Sequence, residues 1–183
     1  MNILYLHGYA SCYKPDTDKV IALEQLGPVS GIDLDYTEGP DAVIEAALEA
    51  TTRYNTELLV GTSMGGWLAS QVALRTGLPF VALNPATDPA ESLQKYIGQP
   101  IDFTGTAYVI DAQTVSAYPP LARDAHGLVL CQSGDDVIDA QATHAALSRH
   151  YHVELLPGGS HRFENLDLQL DQIVSHYQAA TTG

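Results

Sequence analysis

Short apolar runs alternate along the chain with longer segments in which apolar residues recur at helical spacing. The runs predict six strands, at residues 2–6, 29–34, 57–61, 80–83, 128–132 and 151–156. One helical segment follows Gly39, where Val43, Ile44 and Ala47 fall on one face. Alternating strands and helices are typical of a parallel sheet covered by helices on both faces. We therefore predict an α/β fold built on a mostly parallel, six-stranded sheet.

The alternation breaks over residues 86–126. Here the pattern predicts a short helix at 89–98, a strand or hairpin at 103–110 and a second helix at 111–118. Because this segment joins two strands of the sheet, we interpret it as a lid-like insertion over the carboxyl edge, with a plain long crossover as the alternative. Side chains that could line a pocket under such a lid are Tyr96, Ile97, Ile101, Phe103, Tyr108 and Tyr118.

Composition narrows the class of protein. A chain of 183 residues with 45% hydrophobic residues is long enough for one domain, which we take to span residues 1–183. No apolar run approaches the roughly 20 residues that span a bilayer, and the N-terminus has no basic region that would indicate a signal peptide. Cys12 and Cys131 do not make a disulfide framework. We therefore expect a cytoplasmic protein with free thiols and no membrane contact.

The charge of the chain restricts its partners. A formal net charge of −14 repels nucleic acid and anionic lipid. It also disfavours polyanionic substrates, unless a local cluster of Lys or Arg overrides the mean. We expect a small-molecule substrate rather than a nucleic acid, and the oligomeric state is left open.

A candidate nucleophile stands where the third predicted strand meets the next helix. Residues 61–65 read Gly-Thr-Ser-Met-Gly, the Gly-x-Ser-x-Gly pattern of a tight strand-to-helix turn that exposes a serine hydroxyl. The two glycines allow strand and helix to pass closely while the serine backbone is strained. Ser63 is the predicted nucleophile, with a helix N-cap in a glycine-rich turn as the alternative.

Two partners for Ser63 follow later strands. Asp135 comes after the fifth predicted strand and His161 after the sixth. Because the carboxyl ends of parallel strands lie at one edge of a sheet, these side chains should meet. The order Ser, Asp, His is typical of α/β-hydrolases, and His161 would act as the base for Ser63. Asp136 is the alternative acid, since it lies next to Asp135.

Backbone N–H groups near Ser63 are candidates for an oxyanion hole. Met64 follows the nucleophile at a helix N-terminus, where the dipole favours negative charge. The loop after the first strand supplies the second group, which we assign to Tyr9, and His7 is expected to support that loop through hydrogen bonds. Neither His-Glu-x-x-His nor Cys-x-x-Cys occurs, so we predict no metal and no cofactor.

Five motifs lie at residues 6–11, 61–66, 84–85, 134–139 and 158–163, with a further stretch at 103–105. Together they resemble the small bacterial esterases of the YqiA/YcfP type in the α/β-hydrolase superfamily. The resemblance implies a trimmed α/β-hydrolase fold that lacks the first two strands of the full fold. It also implies ester hydrolysis through an acyl-enzyme in the bacterial cytoplasm, with Ser63, Asp135 and His161 as the triad. Acyl-CoA thioesters are a further substrate class that it raises.

Three hypotheses for function follow. The first is a serine carboxylesterase that acts on small, soluble esters through a Ser-His-Asp triad. The second is an acyl-CoA thioesterase, which would need a basic patch such as Lys14, Lys95 or Arg162 to hold phosphates. The third is a non-catalytic α/β-hydrolase-fold protein that only binds a ligand. The sequence leaves the natural substrate and its acyl-chain length open.

Overall fold

A six-stranded parallel sheet forms the centre of the computed structural model, which describes residues 1–102 and 107–182. The strands in chain order are β1 (Ile3–Leu6), β2 (Val29–Gly31), β3 (Leu58–Thr62), β4 (Phe80–Leu83), β5 (Pro100–Asp102), β6 (Ala107–Val109), β7 (Gly127–Gln132) and β8 (His152–Leu156). The central sheet has the order β2-β1-β3-β4-β7-β8, and all of its neighbouring strands are parallel. Strands β5 and β6 form a separate antiparallel pair. The predicted parallel sheet of six strands is confirmed.

Helices connect the strands. They are α1 (Asp18–Glu24), α2 (Pro40–Arg53), α3 (Met64–Thr76), α4 (Pro89–Ser92), α5 (Ala112–Ala117), α6 (Ala140–Leu147) and α7 (Leu170–Thr181), with short 3₁₀ turns at Tyr36–Glu38, Gln94–Tyr96 and Leu166–Gln169. Within the described residues, none of these helices combines the length and the hydropathy that crossing a bilayer requires.

Each face of the sheet carries its own apolar cluster. In β1, Leu4 and Leu6 belong to the cluster that contains residues of α2, α3 and α6, whereas Ile3 and Tyr5 belong to the cluster that contains residues of α1 and α7. This alternation follows from the two-residue repeat of a strand, whose successive side chains point to opposite faces. Trp67 of α3 is fully buried in the first cluster. Helices on both faces of the sheet are therefore confirmed.

The strand register aligns the carboxyl ends of the central strands. Gly61 of β3 pairs with Leu6 at the end of β1, and Thr62 pairs with Leu83 at the end of β4. On the other side, Gln132 at the end of β7 pairs with the last residue of β8. The loops that follow these strands consequently leave the sheet at one edge, where the candidate catalytic residues lie.

Strand β2 is shorter than the predicted strand at 29–34. It ends at Gly31, because the residues that follow bond to the loop after β1 instead of continuing the ladder. The backbone N–H of Leu34 donates to Nε2 of His7 at 2.9 Å, and the carboxylate of Asp33 accepts from the N–H of Tyr13 at 2.8 Å. The residues that follow this edge strand therefore hold the loop after β1 in place and do not extend the sheet.

The insertion at 86–126 contributes to the core as well as to the surface. Ile110, Val115 and Leu121 are buried, and Tyr118 packs edge-on against Trp67 with ring centroids 5.0 Å apart. The expectation that Tyr118 lines a pocket is therefore wrong, because the ring fills the space beside α3. Of the strand or hairpin predicted at 103–110, β6 lies within those bounds, whereas its partner β5 ends before them. Residues 103–106, and with them the pocket candidate Phe103, lie outside the described residues, as do the side chains of Ile101 and Tyr108.

Candidate active site

Ser63 occupies a tight turn between β3 and α3. Its backbone has φ 56° and ψ −118°, a conformation that is rare for a residue with a side chain. The turn can be this tight because Gly61 and Gly65 have no Cβ. A Cβ on Gly61 would overlap the carbonyl of Gly65, and a Cβ on Gly65 would overlap the carbonyl of Leu6. The Ser63 side chain makes no hydrogen bond that caps α3. This argues against the N-cap interpretation and leaves the hydroxyl to a partner outside the helix.

His161 connects Ser63 to Asp135 through hydrogen bonds. Its Nε2 lies 3.1 Å from the Oγ of Ser63, and its Nδ1 lies 2.9 Å and 3.0 Å from the two carboxylate oxygens of Asp135. Because an ionised carboxylate only accepts hydrogen bonds, Nδ1 carries the proton and Nε2 accepts from the Ser63 hydroxyl. The structure thus brings together three residues that the sequence separates by as many as 98 positions.

The carboxylate of Asp135 is buried, with 1% of its side chain exposed. Burial alone would raise its pKa, but hydrogen bonds from His161 and from the backbone N–H groups of Ile138 and Val137 lower the pKa below its ordinary value. The group is therefore charged at neutral pH and can orient the imidazole. Asp136, the alternative acid, is exposed.

Two buried amide side chains hold the loop that carries His161. Nδ2 of Asn84 donates to the carbonyl of Ser160 at 2.8 Å. Oε1 of Gln132 accepts from the N–H groups of Ser160 and Glu164 at 3.2 Å and 2.9 Å, and its Nε2 donates to the Glu164 carbonyl at 2.7 Å. Neither amide was predicted to have a role in the site. The sequence does contain one indication of such a role, because each amide is a polar side chain at the carboxyl end of a strand, β4 for Asn84 and β7 for Gln132.

The loop after β1 runs beside the candidate nucleophile. A Cβ on Gly8 would lie 3.2 Å from the Cβ of Ser63, so this backbone passes within contact distance of the serine. Met64 is the first residue of α3, where N–H groups have no partner inside the helix. In the described parts of the chain, no backbone carbonyl accepts from the N–H of Met64 or Tyr9. The assignment of these two groups to an oxyanion hole stays a prediction.

His7 braces the same loop. The residue is 3% exposed, its Nε2 accepts from the N–H of Leu34, and its Nδ1 donates to the carbonyl of Gly8 at 2.8 Å. Burial lowers the pKa of His7, which keeps the ring neutral and able to accept. The hydroxyl of Tyr36 donates to the His7 carbonyl, and the hydroxyl of Tyr118 donates to the Tyr36 carbonyl, both at 2.6 Å. These bonds connect the insertion to the loop beside Ser63.

A cavity of about 360 Å³ opens beside Ser63 and His161. Its buried lining residues include Tyr5 and Thr62, whose hydroxyl oxygens are 3.0 Å apart. The remaining lining residues come from the loop after β1, from α1 and from the loop of His161; they are His7, Gly8, Tyr9, Ala10, Ser11, Cys12, Lys14, Thr17, Lys19 and Arg162. No described side chain of the insertion is among them. Tyr96 instead packs against the ring of Tyr9, with centroids 5.2 Å apart.

Most other histidines lie away from this edge of the sheet. His126 precedes β7 and His152 begins β8, so both stand at the amino edge, where they line a separate depression together with His150 and His176. His144 lies within α6. The preference for His161 as the partner of Ser63 therefore agrees with where the chain places these alternatives.

Comparison with known sequences identifies relatives over nearly the whole chain. A family model described as "Uncharacterised protein family (UPF0227)" matches residues 2–178. The UPF0227 protein YcfP of Salmonella gallinarum is 24% identical over 177 residues, which cover 93% of this chain and 96% of the relative. A UPF0227 protein of Shewanella sp. strain MR-7 is 27% identical, with the same coverage of both chains. The resemblance to YcfP-type proteins is confirmed.

Comparison with solved structures identifies the fold. Alpha/beta hydrolase domain-containing protein 10 from mouse has a TM-score of 0.67 at 15% identity, covering 95% of this chain and 89% of its own. A monoacylglycerol lipase from Paleococcus ferrophilus has a TM-score of 0.66 at 13% identity, covering 98% and 95%. An esterase domain from a Rhodothermus marinus protein has a TM-score of 0.63 at 17% identity, covering 98% and 86%. The predicted α/β-hydrolase fold is confirmed.

Proposed function

The chain belongs to the UPF0227 family, and we propose that it is a serine hydrolase that cleaves small carboxylic esters through an acyl-enzyme. The observation that carries the proposal is the line of hydrogen bonds from Ser63 through His161 to the buried Asp135. Serine, imidazole and carboxylate in this arrangement are the parts that nucleophilic acyl transfer requires. Solved proteins of the same fold include a lipase and an esterase domain, which supports hydrolysis as the general reaction.

Ser63, His161 and Asp135 each have a chemical role in the proposed reaction. Nε2 of His161 takes the proton of Ser63 as the serine oxygen attacks the ester carbonyl, and Asp135 stabilises the imidazolium that forms. When the carbonyl re-forms, the bond to the alcohol breaks and His161 returns the proton to the leaving oxygen. Water then attacks the acyl-enzyme with His161 again as the base, which releases the acid and restores Ser63.

The developing oxyanion needs donors that are already in place. In this proposal the N–H groups of Tyr9 and Met64 supply them. Met64 adds the favourable end of the α3 dipole. Tyr9 is held by the contact of its ring with Tyr96 of the insertion. Preorganised donors of this kind lower the barrier because no reorganisation is needed during the reaction.

The cavity favours small substrates. Its volume of about 360 Å³ lies near the lower end of the range for small-molecule sites. The buried Tyr5 and Thr62 present hydroxyl groups in its lining, where a lipase would need apolar surface for a long acyl chain. Short or polar acyl groups suit this lining better than long hydrocarbon chains.

An acyl-CoA thioesterase is the second candidate, and one observation favours it. Lys14 and Arg162, two of the three basic residues that such a site was expected to use, line the cavity beside Ser63. Lys95, the third, is not part of the lining and instead stands over the ring of Tyr96. A protein that only binds a ligand is the least supported, since it has no need of an imidazole bonded to both Ser63 and a buried carboxylate.

Replacement of the nucleophile tests the proposal. Ser63→Ala should lower turnover of p-nitrophenyl acetate and butyrate by roughly ten-thousandfold, because the acyl-enzyme can no longer form. Ser175→Ala is the matched control, since this exposed serine lies in α7 and its hydroxyl donates to the Asp171 carbonyl of its own helix. A fluorophosphonate probe should label the wild type and Ser175→Ala at Ser63. Unchanged turnover in Ser63→Ala would sink the proposal.

A further inference from the structure

The charged side chains that line the cavity have the opposite sign to the net charge of the chain. The protein has 22 acidic and 8 basic residues. Nevertheless, the lining of the cavity beside Ser63 contains Lys14, Lys19 and Arg162 and, among the residues that the structure describes, no carboxylate. Three of the eight basic residues of this acidic chain therefore lie around one opening. Such local clusters, rather than net charge, decide which ligands a cleft attracts.

The cations come from two separate parts of the chain. Lys14 and Lys19 follow β1, before and within α1, and Arg162 follows His161 directly. The ammonium of Lys19 donates to the backbone carbonyl of Arg162 at 2.6 Å, which joins the two parts. Because His161 itself bonds to Ser63, this contact places the charges on the rim of the same opening that leads to the candidate nucleophile.

These cations have no counter-charge in contact. Across residues 1–102 and 107–182, no carboxylate lies within 4.0 Å of a charged nitrogen of Lys14, Lys19 or Arg162. Partial burial and then the neighbouring Arg162 lower the pKa of Lys19, while Asp18 acts in the opposite direction. An unpaired and partly desolvated cation is stabilised when an anion binds to it.

Carboxylates do lie near this rim, but on its other side. Lys19 and Arg162 also line a neighbouring depression, together with Asp16, Asp18, Glu164 and Asp167. The two cations therefore separate an acidic depression from a cavity whose charged lining is basic. An anionic molecule should be repelled from the depression and retained on the side of Ser63.

We propose that the substrate of this site carries an anionic group, a carboxylate or a phosphate, that binds to Lys14, Lys19 and Arg162 while its ester carbonyl lies at Ser63. This inference rests on the proposed function and deepens it by naming the substrate class. A bound anion accepts charge-assisted hydrogen bonds from the ammonium and guanidinium groups. The hydroxyls of Tyr5 and Thr62 provide further polar contacts for the part of the substrate that enters the cavity.

Two pairs of substrates test the proposal and locate the charge. The first pair is the p-nitrophenyl half ester of glutaric acid, which carries a free carboxylate on its acyl group, and the same compound as its methyl ester. The second pair is acetylglycerol phosphate, which carries a phosphate on its leaving group, and acetylglycerol. For at least one pair we expect kcat/KM of the charged member to exceed that of the neutral member by about tenfold. Preference in the first pair assigns the anion to the acyl group, and preference in the second assigns it to the alcohol.

Charge removal identifies the residues responsible. Lys14→Met, Lys19→Met and Arg162→Met should each lower the charged-to-neutral ratio of kcat/KM toward one. Lys14 and Arg162 are exposed, so those two variants keep the test valid if loss of the Lys19 hydrogen bond unfolds its loop. Arg149→Met is the control, since this exposed arginine follows α6 and lies outside the cavity lining. It should leave the ratio unchanged.

Salt provides an independent measurement. Between about 0.05 M and about 0.5 M NaCl, kcat/KM should fall for the preferred charged ester and stay level for its neutral partner. Equal rates for both members of both pairs, or a ratio that Lys14→Met, Lys19→Met and Arg162→Met all leave unaltered, would overturn the inference. Neither result would affect the role of Ser63, which the Ser63→Ala variant tests separately on neutral esters.

Discussion

Asn84 and Gln132 are joined by a 2.8 Å hydrogen bond, in which the backbone N–H of Gln132 donates to Oδ1 of Asn84. The same Asn84 side chain donates to the carbonyl of Ser160, so one amide connects the ends of β4 and β7 to the loop of His161. Asn84 has φ 44°, a backbone conformation that asparagine tolerates better than most residues. The proposed base therefore depends for its position on a side chain outside the cavity lining.

Loss of this amide should disturb the reaction more than the fold. Asn84→Gly keeps the left-handed backbone accessible but removes the bonds to Ser160 and Gln132. We expect kcat for p-nitrophenyl butyrate to fall by about ten- to hundredfold with little change in KM, because His161 is displaced relative to Ser63. The rate of fluorophosphonate labelling should fall with kcat.

Asn55→Gly is the matched control for that substitution. Asn55 also has a positive φ, of 48°, but follows α2 at the amino edge of the sheet. Its replacement should leave kcat unaltered. If both variants lost only thermal stability and kept wild-type kcat, Asn84 would be a purely structural residue.

Replacement of the acid should reveal which carboxylate orients His161. Asp135→Asn still offers an oxygen to the N–H groups of Val137 and Ile138, but its amide presents a donor where Nδ1 of His161 needs an acceptor. We expect kcat to fall by roughly ten-thousandfold, as when a triad imidazole is held in the wrong tautomer. Asp136→Asn should retain wild-type kcat. A larger loss in Asp136→Asn than in Asp135→Asn would reverse the assignment.

The buried His7 should make stability depend on pH. Because burial lowers its pKa below the ordinary value of 6.5, unfolding allows the ring to take up a proton. The contribution of the neutral, buried ring to the free energy of unfolding is therefore fully present above about pH 6.5. It declines as the pH falls from there towards the pKa of His7 in the folded state. Urea unfolding should therefore give a smaller free energy of unfolding at about pH 5 than at about pH 7.

His7→Gln separates this contribution from others. Glutamine can accept from the N–H of Leu34 but does not titrate, so the pH dependence of the unfolding free energy should become flatter. Burial also lowers the pKa of His176, which should leave some dependence in the variant. An identical slope in His7→Gln and the wild type would contradict the assignment.

The two thiols should differ in reactivity. Burial raises the pKa of Cys131 to about 12, whereas Cys12 is partly exposed and lines the cavity beside Ser63. In the native protein a bulky maleimide should modify Cys12 alone and inhibit ester hydrolysis, because the adduct fills the cavity. Cys12→Ser should be active and resistant to the reagent. Full activity after complete modification of Cys12 would contradict this placement of the cavity.

Sequence alone predicted the fold and the positions of the three proposed catalytic residues, since each follows a strand and strand periodicity is readable. It could not predict Asn84 and Gln132 as supports, because an amide bonded to backbone groups has no motif of its own. The early end of β2 was missed for a similar reason: the N–H of Leu34, beyond that strand, donates to His7, a partner distant in sequence. The place of Lys19 in the cavity lining was not predicted, because only the folded chain brings it to Arg162.

The hydroxyl of Tyr118 donates to the Tyr36 carbonyl, and the hydroxyl of Tyr36 donates to the His7 carbonyl. These two hydrogen bonds affect how molecules can reach and leave Ser63. A swing of the insertion away from the sheet would break this tether and pull on the loop that holds the Tyr9 N–H. We therefore expect the insertion to stay closed throughout turnover. Molecules would reach Ser63 along the side of the cavity that Lys14 and Arg162 line, so the residues proposed to select the substrate would also stand at the entrance.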